Sequence, residues 1–473
     1  MNNQLYENNY TATIEPKYGN KRDPDRDESI TRDIDKAHSY TINNNDRVDM
    51  TLYDTYSIDP VGCKDADDAF SVYTENSKLF FAVHIADPTE YIDPNSDLWR
   101  DIVSRTTTKY PSNRAPIHMM PDKVLELSSL QGSQTGNIKN AITILTEINQ
   151  TTYEPVHEIK LLFTNIFVKK QNAYSYNRAS EVCNDIDAFR VGLKISESFK
   201  SKRALRTKGI KLNEISMAYP IYETNNVYLY EDTLQERLIK QMIAEFAIFA
   251  NSFIGEYLKL NFNMGIFRTC VASEWLQTVY NNISGEELLR EIITNGIRAD
   301  YMSNVEAHDL VGMPEYCHFT SPIRRLSDCV CHYLLKYIFF KHKKPDLVPF
   351  SEVELDFFTT KCLNVSRADK KIQYLDTKFR LLQVMDNMIF TNKKIDIEYY
   401  ITSYSGMFLN IIICKINRFR VHMSYTLRTR GYAKDVNPSI KHFLCITHVN
   451  CFTKYDENTI PELDKHVLLS SKV

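Results

Sequence analysis

The chain has 473 residues, of which 43% are apolar, and this length and composition suit a large core divided among two or three domains. No apolar run reaches the length needed to span a bilayer and the polar start is no signal peptide, so the sequence argues against a membrane protein. Ten cysteines occur without a Cys-x-x-Cys pair, which argues against a zinc ribbon and a disulfide framework. We therefore expect an intracellular, most simply cytoplasmic, location.

The formal net charge of −3 neither indicates nor excludes a nucleic-acid partner, but the charges are unevenly distributed. Residues 200–211 hold six basic residues and no acidic one, and residues 401–473 hold ten basic residues against five acidic ones. Regions of this kind suit contacts with phosphates, although solvated faces would give the same counts.

The first elements in the chain are a polar arm and a set of strands. Residues 1–46 have little hydrophobic periodicity and predict a partly disordered arm. From residue 47 the pattern becomes strand-like, with a hairpin predicted to turn at residues 75–77. The later predicted elements are strands at 140–148 and 156–168, a helical region at 175–206 and a β-rich segment at 219–230.

Within the first strands lies a cluster of four aspartates in the pattern D-x5-D-x-D-D, namely Asp59, Asp65, Asp67 and Asp68. Four carboxylates this close repel one another and raise one another's pKa unless a cation lies among them. Oxygen ligands of this kind suit Mg²⁺ or Mn²⁺, and one or two such ions would serve phosphoryl chemistry.

A solvated acidic loop is the alternative, because clustered aspartates are common on protein surfaces. Apolar residues directly beside the cluster favour a folded site instead. A calcium loop fits poorly, because its sixth and twelfth positions lack Gly and Glu whether the count begins at Asp59 or at Asp65. Further along, the hydroxyl-rich residues 105–111 end in Tyr110 and Pro111, and this tyrosine suits either a plain loop or a base-stacking role.

Two capping boxes predict the starts of long helices. Thr233 with Glu236 precedes an apolar stripe at helical spacing, and Ser351 with Glu354 precedes a second helical region. The stripe after Thr233 indicates core packing.

Residues 316–328 predict another helix, with Ser321 as N-cap and Pro322 at the first helical position. Arg324 and Arg325 would then lie in the first turn, where cations are unfavourable unless an anion is bound. An anion site is one interpretation of this pattern. An ion pair between Arg324 and a buried carboxylate is the other.

Residues 393–473 change character. Short runs of β-branched and aromatic residues alternate with polar breaks and predict a small β-barrel, whose basic and aromatic content suits an oligonucleotide-binding barrel.

Three stretches carry a resemblance to a known family: residues 57–69 (S-I-D-P-V-G-C-K-D-A-D-D-A), 83–87 (V-H-I-A-D) and 316–325 (Y-C-H-F-T-S-P-I-R-R). They strongly resemble motifs of the catalytic RNB domain of the ribonuclease II family, which includes ribonuclease R and the catalytic subunit of the eukaryotic exosome. Weaker similarities connect them, so that the resemblance extends over residues 47–385 in family order.

The resemblance implies an α+β fold with an RNB catalytic domain at residues 47–392, behind the polar arm at residues 1–46. An S1-like OB β-barrel would occupy residues 393–473. It implies a processive, metal-dependent 3′→5′ exoribonuclease that threads single-stranded RNA to a buried site and releases nucleoside 5′-monophosphates. The cofactor would be Mg²⁺, with Mn²⁺ as an alternative.

By position, the four aspartates match the acidic metal site of the family. Tyr110 matches the tyrosine that orients the terminal nucleotide. Arg324 matches the arginine that contacts the scissile phosphate, where a guanidinium would stabilise charge in the transition state. Arg325 beside it is a further candidate for RNA contact.

One departure from the family pattern matters for partners. Two cold-shock barrels usually precede the RNB domain, whereas here only residues 1–46 do. We therefore expect a protein partner to supply the RNA contacts that those barrels would make. Two rival functions stay open. A catalytically inactive RNA-binding or scaffold protein would keep the RNB fold, although all four aspartates are present. A nuclease acting on single-stranded DNA would differ in 2′-hydroxyl contacts, which the sequence does not reveal.

Overall fold

The computed structural model describes residues 3–134, 137–205, 216–223, 226–262, 264–271, 298–405, 408–428, 441–446, 449–450 and 462–463. The helices in this part are α1 (Asn3–Thr13), α2 (Pro24–Ile30), α3 (Asp97–Arg105), α4 (Asp122–Ser128), α5 (Tyr176–Val182), α6 (Asp187–Ala204), α7 (Leu234–Asn261), α8 (Leu326–Phe340) and α9 (Glu352–Asn392). The strands are β1 (Val48–Asp49), β2 (Ser57–Asp59), β3 (Asp68–Glu75), β4 (Lys78–Ala86), β5 (Lys139–Ile148), β6 (Lys160–Ile166), β7 (Ala173–Ser175), β8 (Tyr219–Glu223), β9 (Asn226–Tyr230), β10 (Phe267–Thr269), β11 (Asp300–Met302), β12 (Ile395–Ser405), β13 (Phe408–Ile416), β14 (Phe419–Arg428), β15 (Lys441–Ile446), β16 (Val449–Asn450) and β17 (Glu462–Leu463). Short 3₁₀ helices cover Glu15–Tyr18, Asn44–Asp46, Pro88–Glu90 and Lys170–Asn172.

A five-stranded sheet in the order β1-β6-β5-β4-β3 lies in the main core. Its pairs are antiparallel except for the parallel pair of β1 and β6. Asn76 and Ser77 join β3 to β4 with φ of 50° and 65°, the left-handed backbone that tight hairpin turns need. The predicted hairpin is therefore confirmed, and β5 and β6 confirm the two strands predicted after it.

Both predicted capping boxes form. At the start of α7 the Thr233 hydroxyl accepts a hydrogen bond from the Glu236 N–H, and at the start of α9 the Ser351 hydroxyl accepts one from the Glu354 N–H. These side chains satisfy amide groups that a helix leaves without partners in its first turn. The helical region predicted before α7 is present as α5 and α6.

Helix α7 is long and apolar enough to cross a membrane by length and composition alone. The prediction that no apolar run is long enough to span a bilayer is therefore wrong for α7. Its inward face, which includes Ile239, Met242 and Phe246, is buried in the main hydrophobic core. A helix packed in this way is typical of the interior of a folded domain.

The sequence suggested that residues 1–46 form a partly disordered arm, and the structure corrects this for residues 3–46. They fold into α1, α2 and two short 3₁₀ helices. Arg22 fastens this segment, because its guanidinium pairs with Asp101 of α3 at 2.8 Å and donates to the carbonyl of Met119 at 2.6 Å. Such long-range contacts leave no trace in local composition.

A second group of contacts joins the same segment to α9. Tyr6 and Tyr10 lie edge-on to the buried ring of Phe379, at centroid distances of 5.9 and 5.5 Å. The hydroxyls of Tyr10 and Tyr18 both donate to Oδ2 of Asp376, at 2.6 and 2.7 Å. The segment thus has a small hydrophobic core and a buried polar anchor of its own.

Strands β12 to β15 form a separate antiparallel sheet in the order β14-β13-β12-β15. Ile397 of this sheet belongs to one hydrophobic cluster with Leu381 of α9 and Leu229 of β9. The predicted β-rich C-terminal segment is thus present as strands. The closed S1-like barrel stays a prediction, because residues 451–461 and 464–473 lie outside the described residues.

A buried ionic network ties the start of the main core to α8. Arg47 pairs with Asp87 and Glu90 at 3.0 and 2.8 Å, and Lys336 pairs with the same two carboxylates at 3.1 and 2.8 Å. Two cations and two anions balance in this network, as buried charges require. Helix α8 is thereby fixed to the turn that follows β4.

Candidate active site

The four aspartates lie at the ends of two strands and in the loop between them. Asp59 ends β2, which pairs in parallel with β7, and Asp68 begins β3. Gly62 turns the loop with a φ of +76°, a left-handed backbone that glycine adopts without strain. The carbonyl of Asp67 accepts a hydrogen bond from the N–H of Ala86 at 2.8 Å, which holds the end of the loop against β4.

The arginine motif lies in a turn before α8. The predicted helix start is wrong, because α8 begins at Leu326, so Ser321 is not its N-cap and Pro322 is not its first residue. The N–H of Arg325 donates to the carbonyl of Ser321 at 3.0 Å, and the N–H of Ser321 donates to the buried carboxylate of Asp328 at 2.8 Å. These contacts make a turn where local preference indicated a helix, so no helix begins at Pro322, and anion binding at this motif stays a prediction.

Helix α7 supports the segment just before this turn. Oδ1 of Asn251 accepts hydrogen bonds from the N–H groups of Phe319 and Thr320, at 2.8 and 3.2 Å. One helical turn later Gly255 allows close contact, because a Cβ there would lie 2.9 Å from the backbone nitrogen of Tyr316. A buried amide and a missing side chain thus fix the motif against the core.

The hydroxyl-rich segment after α3 pairs directly with the arginine motif. The Thr107 hydroxyl and the Thr108 N–H both donate to the carbonyl of Arg324, at 2.9 and 3.0 Å. Two residues later Tyr110 reaches the acidic loop, where its hydroxyl donates to Oδ2 of Asp65 at 3.0 Å. Three segments that are distant in sequence therefore meet at one place.

Arg324 is held by the most buried of the four aspartates. Its Nε donates to Oδ2 of Asp67 at 2.9 Å, and the N–H of Ile323 donates to Oδ1 at 2.7 Å. Burial raises the pKa of Asp67 above its usual range, while Arg324 and the Ile323 N–H oppose that rise. The ion-pair interpretation of Arg324 is confirmed, yet 42% of its side chain stays exposed.

The other aspartates are perturbed in opposite directions. Burial, with help from Asp68 and Asp65, raises the pKa of Asp59 to about 7, and burial raises the pKa of Asp68 to about 6. Burial also acts on Asp65, but hydrogen bonds from His118 and Tyr110 hold the pKa of Asp65 below its usual value. Burial is thus the main cause of both rises, and neighbouring carboxylates add to it only at Asp59.

A cavity of about 630 Å³ brings these side chains together. Its lining includes six of the seven predicted site residues: Asp59, Asp65, Asp67, Asp68, Tyr110 and Arg324. The seventh, Arg325, does not line it.

The sequence analysis missed three side chains of this cavity, Cys63, His118 and Tyr176. The sulfur of Cys63 lies 3.4 Å from Oδ1 of Asp65, and Nδ1 of His118 lies 3.5 Å from Oδ2 of the same residue. Cys63 stands inside the acidic motif and could have been noticed there. His118 has no local signal, because backbone pairing just before it and just before Tyr110 brings these two residues together.

The family model of the RNB domain matches residues 47–341, which is more than half of the chain. The chain belongs to the RNB domain family. It is similar to Exoribonuclease 2 of Buchnera aphidicola, with 26% identity over 427 residues that cover 79% of this chain and 62% of that protein. The chain therefore spans less than two thirds of the length of this curated RNB relative.

Solved structures support the RNB fold. Mycoplasma genitalium RNase R, in complex with double-stranded RNA, superposes with a TM-score of 0.68 at 17% identity and covers 89% of this chain and 81% of that one. Yeast Ssd1, described as a pseudonuclease, superposes with a TM-score of 0.64 at 16% identity over 86% of this chain and 56% of that one. The α+β RNB fold is confirmed, and proteins that share it include a pseudonuclease.

Arg325 faces a second, smaller cavity of about 280 Å³ in the RNB region, which also touches Tyr110 and Arg324. Its guanidinium pairs with the fully buried Asp328 through two hydrogen bonds, at 3.0 and 2.8 Å. This paired arginine braces the turn before α8.

The donor set of the RNB cavity suits a hard divalent cation in chemistry, since four carboxylates with all-oxygen ligands line it. Among the residues that the structure describes, no three Asp, Glu, His or Cys side chains are yet grouped closely enough to hold an ion. Asp67 in particular is engaged by Arg324. Binding of a cation would therefore require the carboxylates to draw together.

Proposed function

We propose that this RNB protein is a metal-dependent 3′→5′ exoribonuclease that processively hydrolyses single-stranded RNA to nucleoside 5′-monophosphates. One observation carries the proposal. Four carboxylates, a tyrosine and a partly exposed arginine, brought from three distant segments, line one cavity in a chain of the RNB family. Similarity to proteins named exoribonucleases supports the same activity.

The residues divide into three roles. Asp59, Asp65 and Asp68 would hold Mg²⁺, or Mn²⁺ in its place, and the ion would supply charge neutralisation and an activated water. Arg324 would contact the scissile phosphate and stabilise the charge that develops there. Tyr110, which is 40% exposed, would orient the terminal nucleotide.

Asp67 is in our proposal a positioning residue as well as a possible ligand. Its two oxygens are both used by the arginine turn, so it sets the place of the Arg324 guanidinium relative to the other carboxylates. A fixed guanidinium requires no rearrangement when charge develops on the phosphate.

A second candidate function is binding of RNA without cleavage. The similarity in fold to a pseudonuclease favours it, because the RNB fold is compatible with loss of chemistry. The complete set of four aspartates argues for cleavage.

The test uses a 5′-labelled single-stranded RNA with Mg²⁺, and the DNA copy of that strand. The wild type should shorten the RNA from its 3′ end to a short limit product, and Asp67→Asn should leave it intact. Asp54→Asn is the matched control, because Asp54 is 54% exposed, pairs at the surface with Lys169 and does not line the carboxylate cavity. RNA that is bound but never shortened would favour the pseudonuclease function, and equal shortening of the DNA copy would favour a nuclease of broader substrate range.

A further inference from the structure

The second cavity, of about 280 Å³, lies against the carboxylate cavity, and Tyr110 and Arg324 line both. Its other charged residues are predominantly basic: Arg268, Arg325, Lys370 and a single carboxylate, Asp369. The two neighbouring cavities thus differ in sign, one acidic and the other basic.

Arg268, on β10, is the least compensated of these cations. It is only 6% exposed, and its guanidinium lies over the ring of Tyr301 at 4.6 Å. Across the part of the chain that the structure describes, it has neither a carboxylate within ion-pair distance nor a hydrogen-bond acceptor. Burial lowers the pKa of Arg268 and the like charge of Arg325 adds to this, while Tyr301 and Asp300 oppose it. A buried guanidinium without an acceptor is costly unless a ligand supplies one.

The nearby carboxylates are already engaged by other cations. Asp300 receives two hydrogen bonds from Arg367, at 3.2 and 2.7 Å. Asp369 pairs with Lys109. Arg325, as described above, is neutralised by Asp328. Among the described residues, Asp300 therefore offsets the charge of Arg268 only in part and forms no ion pair with it, and Lys370 adds a second positive charge to the same cavity.

We propose that Arg268, assisted by Lys370, binds a phosphate group of a nucleotide chain in this second cavity. The planar guanidinium suits a phosphate through paired N–H donors. This inference rests on the proposed function, because it takes the ligand of the neighbouring cavity to be RNA. The phosphate has two possible sources, a phosphodiester of the bound strand or the 5′-phosphate of a released nucleotide.

The first measurement is RNA affinity as a function of salt concentration, in EDTA so that no cleavage occurs. Arg268→Gln should weaken binding by about tenfold and reduce the slope of log affinity against log salt by about 0.7, the value for one phosphate contact on a single strand. Arg190→Gln is the matched control, because Arg190 is 53% exposed on α6 and should leave both values unchanged.

The second measurement separates the two sources. Competition by adenosine 5′-monophosphate is compared with competition by adenosine, in wild type and variant. Loss of monophosphate competition in Arg268→Gln, with the RNA slope unchanged, would assign the cavity to the released nucleotide. Loss of the RNA slope would assign it to the strand. If both stay at wild-type values, the inference is overturned.

Two further controls keep the result interpretable. Lys370 is exposed, so Lys370→Gln should fold normally and reproduce a weaker form of the same effect. Removal of a buried, unpaired charge should leave the thermal midpoint of Arg268→Gln equal to or above that of the wild type. The two proposals can also fail separately. If the wild type cleaves no RNA but Arg268→Gln still reduces the slope of log affinity against log salt, the exoribonuclease proposal is rejected and this inference stands.

Discussion

Nε of Arg324 donates to Oδ2 of Asp67 at 2.9 Å, and this one contact joins two motifs that lie 257 residues apart. The carboxylate is almost completely buried and the arginine is partly exposed, so the buried Asp67 holds Arg324 in place at the wall of the cavity. Nη2 of Arg324 also donates to the hydroxyl of Ser321 at 2.9 Å, so the guanidinium plane is fixed on two sides.

The first prediction concerns Arg324→Lys. An ammonium keeps the charge but cannot make both contacts of the guanidinium, so we expect kcat on single-stranded RNA to fall by about 100-fold or more. Affinity for RNA in EDTA should change much less. Single-turnover cleavage gives the rate, and Arg178→Lys serves as control because Arg178 is 63% exposed on α5. If Arg324→Lys cleaves RNA at the wild-type rate, the contact between Arg324 and Asp67 has only a structural role.

The second prediction separates the ring of Tyr110 from its hydroxyl. Tyr110→Phe removes one hydrogen bond to Asp65 and should slow cleavage by less than about tenfold. Tyr110→Ala also removes a stacking surface worth about 1–3 kcal/mol, so the KM for RNA should rise by roughly 5-fold to 150-fold. Equal kinetics for the two variants would show that the ring does not contact a base.

The third prediction follows from the raised pKa values of Asp59 and Asp68, about 7 and about 6. Both exceed the value of about 3.9 expected in an unfolded chain, so the cation-free folded state binds extra protons. The contribution of these groups to the free energy of unfolding is therefore present at low pH and is lost as the pH rises from about 4 to about 7. Mg²⁺ competes with the same protons, so its stabilising effect should grow over that range.

Thermal midpoints measured in EDTA and in Mg²⁺ across this pH range test the prediction. Asp59→Asn should be more stable than the wild type at neutral pH in EDTA and should gain less from Mg²⁺. Asp54→Asn, at an exposed position, should follow the wild type. A gain from Mg²⁺ that does not depend on pH would contradict the assignment of these carboxylates.

The fourth prediction concerns residues 3–46. Phe379 is fully buried between Tyr6 and Tyr10, so Phe379→Ala should lower the free energy of unfolding by about 3–5 kcal/mol. Phe390→Ala on the same helix is the control, because that ring is 60% exposed. Denaturant unfolding measures both. Similar values for the two variants would mean that the N-terminal segment contributes little to the fold.

What the sequence could predict was local. The turn at Asn76, the capping box at Thr233 and the aspartate pattern each depend on neighbours within a few residues, and the structure shows all three. The expectation at Ser321 was equally local and failed, because the distant side chain of Asp67 and the nearby Asp328 hold that turn.

The missed features depend on contacts between distant segments. His118 reaches the acidic cavity through a backbone pairing, and Tyr10 and Tyr18 of the N-terminal segment donate to Asp376, more than 350 residues away. A polar sequence of this kind resembles a flexible arm, because its composition does not reveal that its tyrosines are buried against α9. Six of the residues named from the motif resemblance line one cavity, because such motifs contain information about distant contacts that periodicity lacks.

The buried network of Arg47, Asp87, Glu90 and Lys336 has a consequence for how the chain acquires its structure. Glu90 and Lys336 are 246 residues apart, so during synthesis Asp87 and Glu90 emerge long before one of their two cations. Contacts of this sequence separation slow folding and leave early segments exposed. We expect the N-terminal two thirds of a nascent chain to remain protease-sensitive, and protection to appear cooperatively once α8 has left the ribosome.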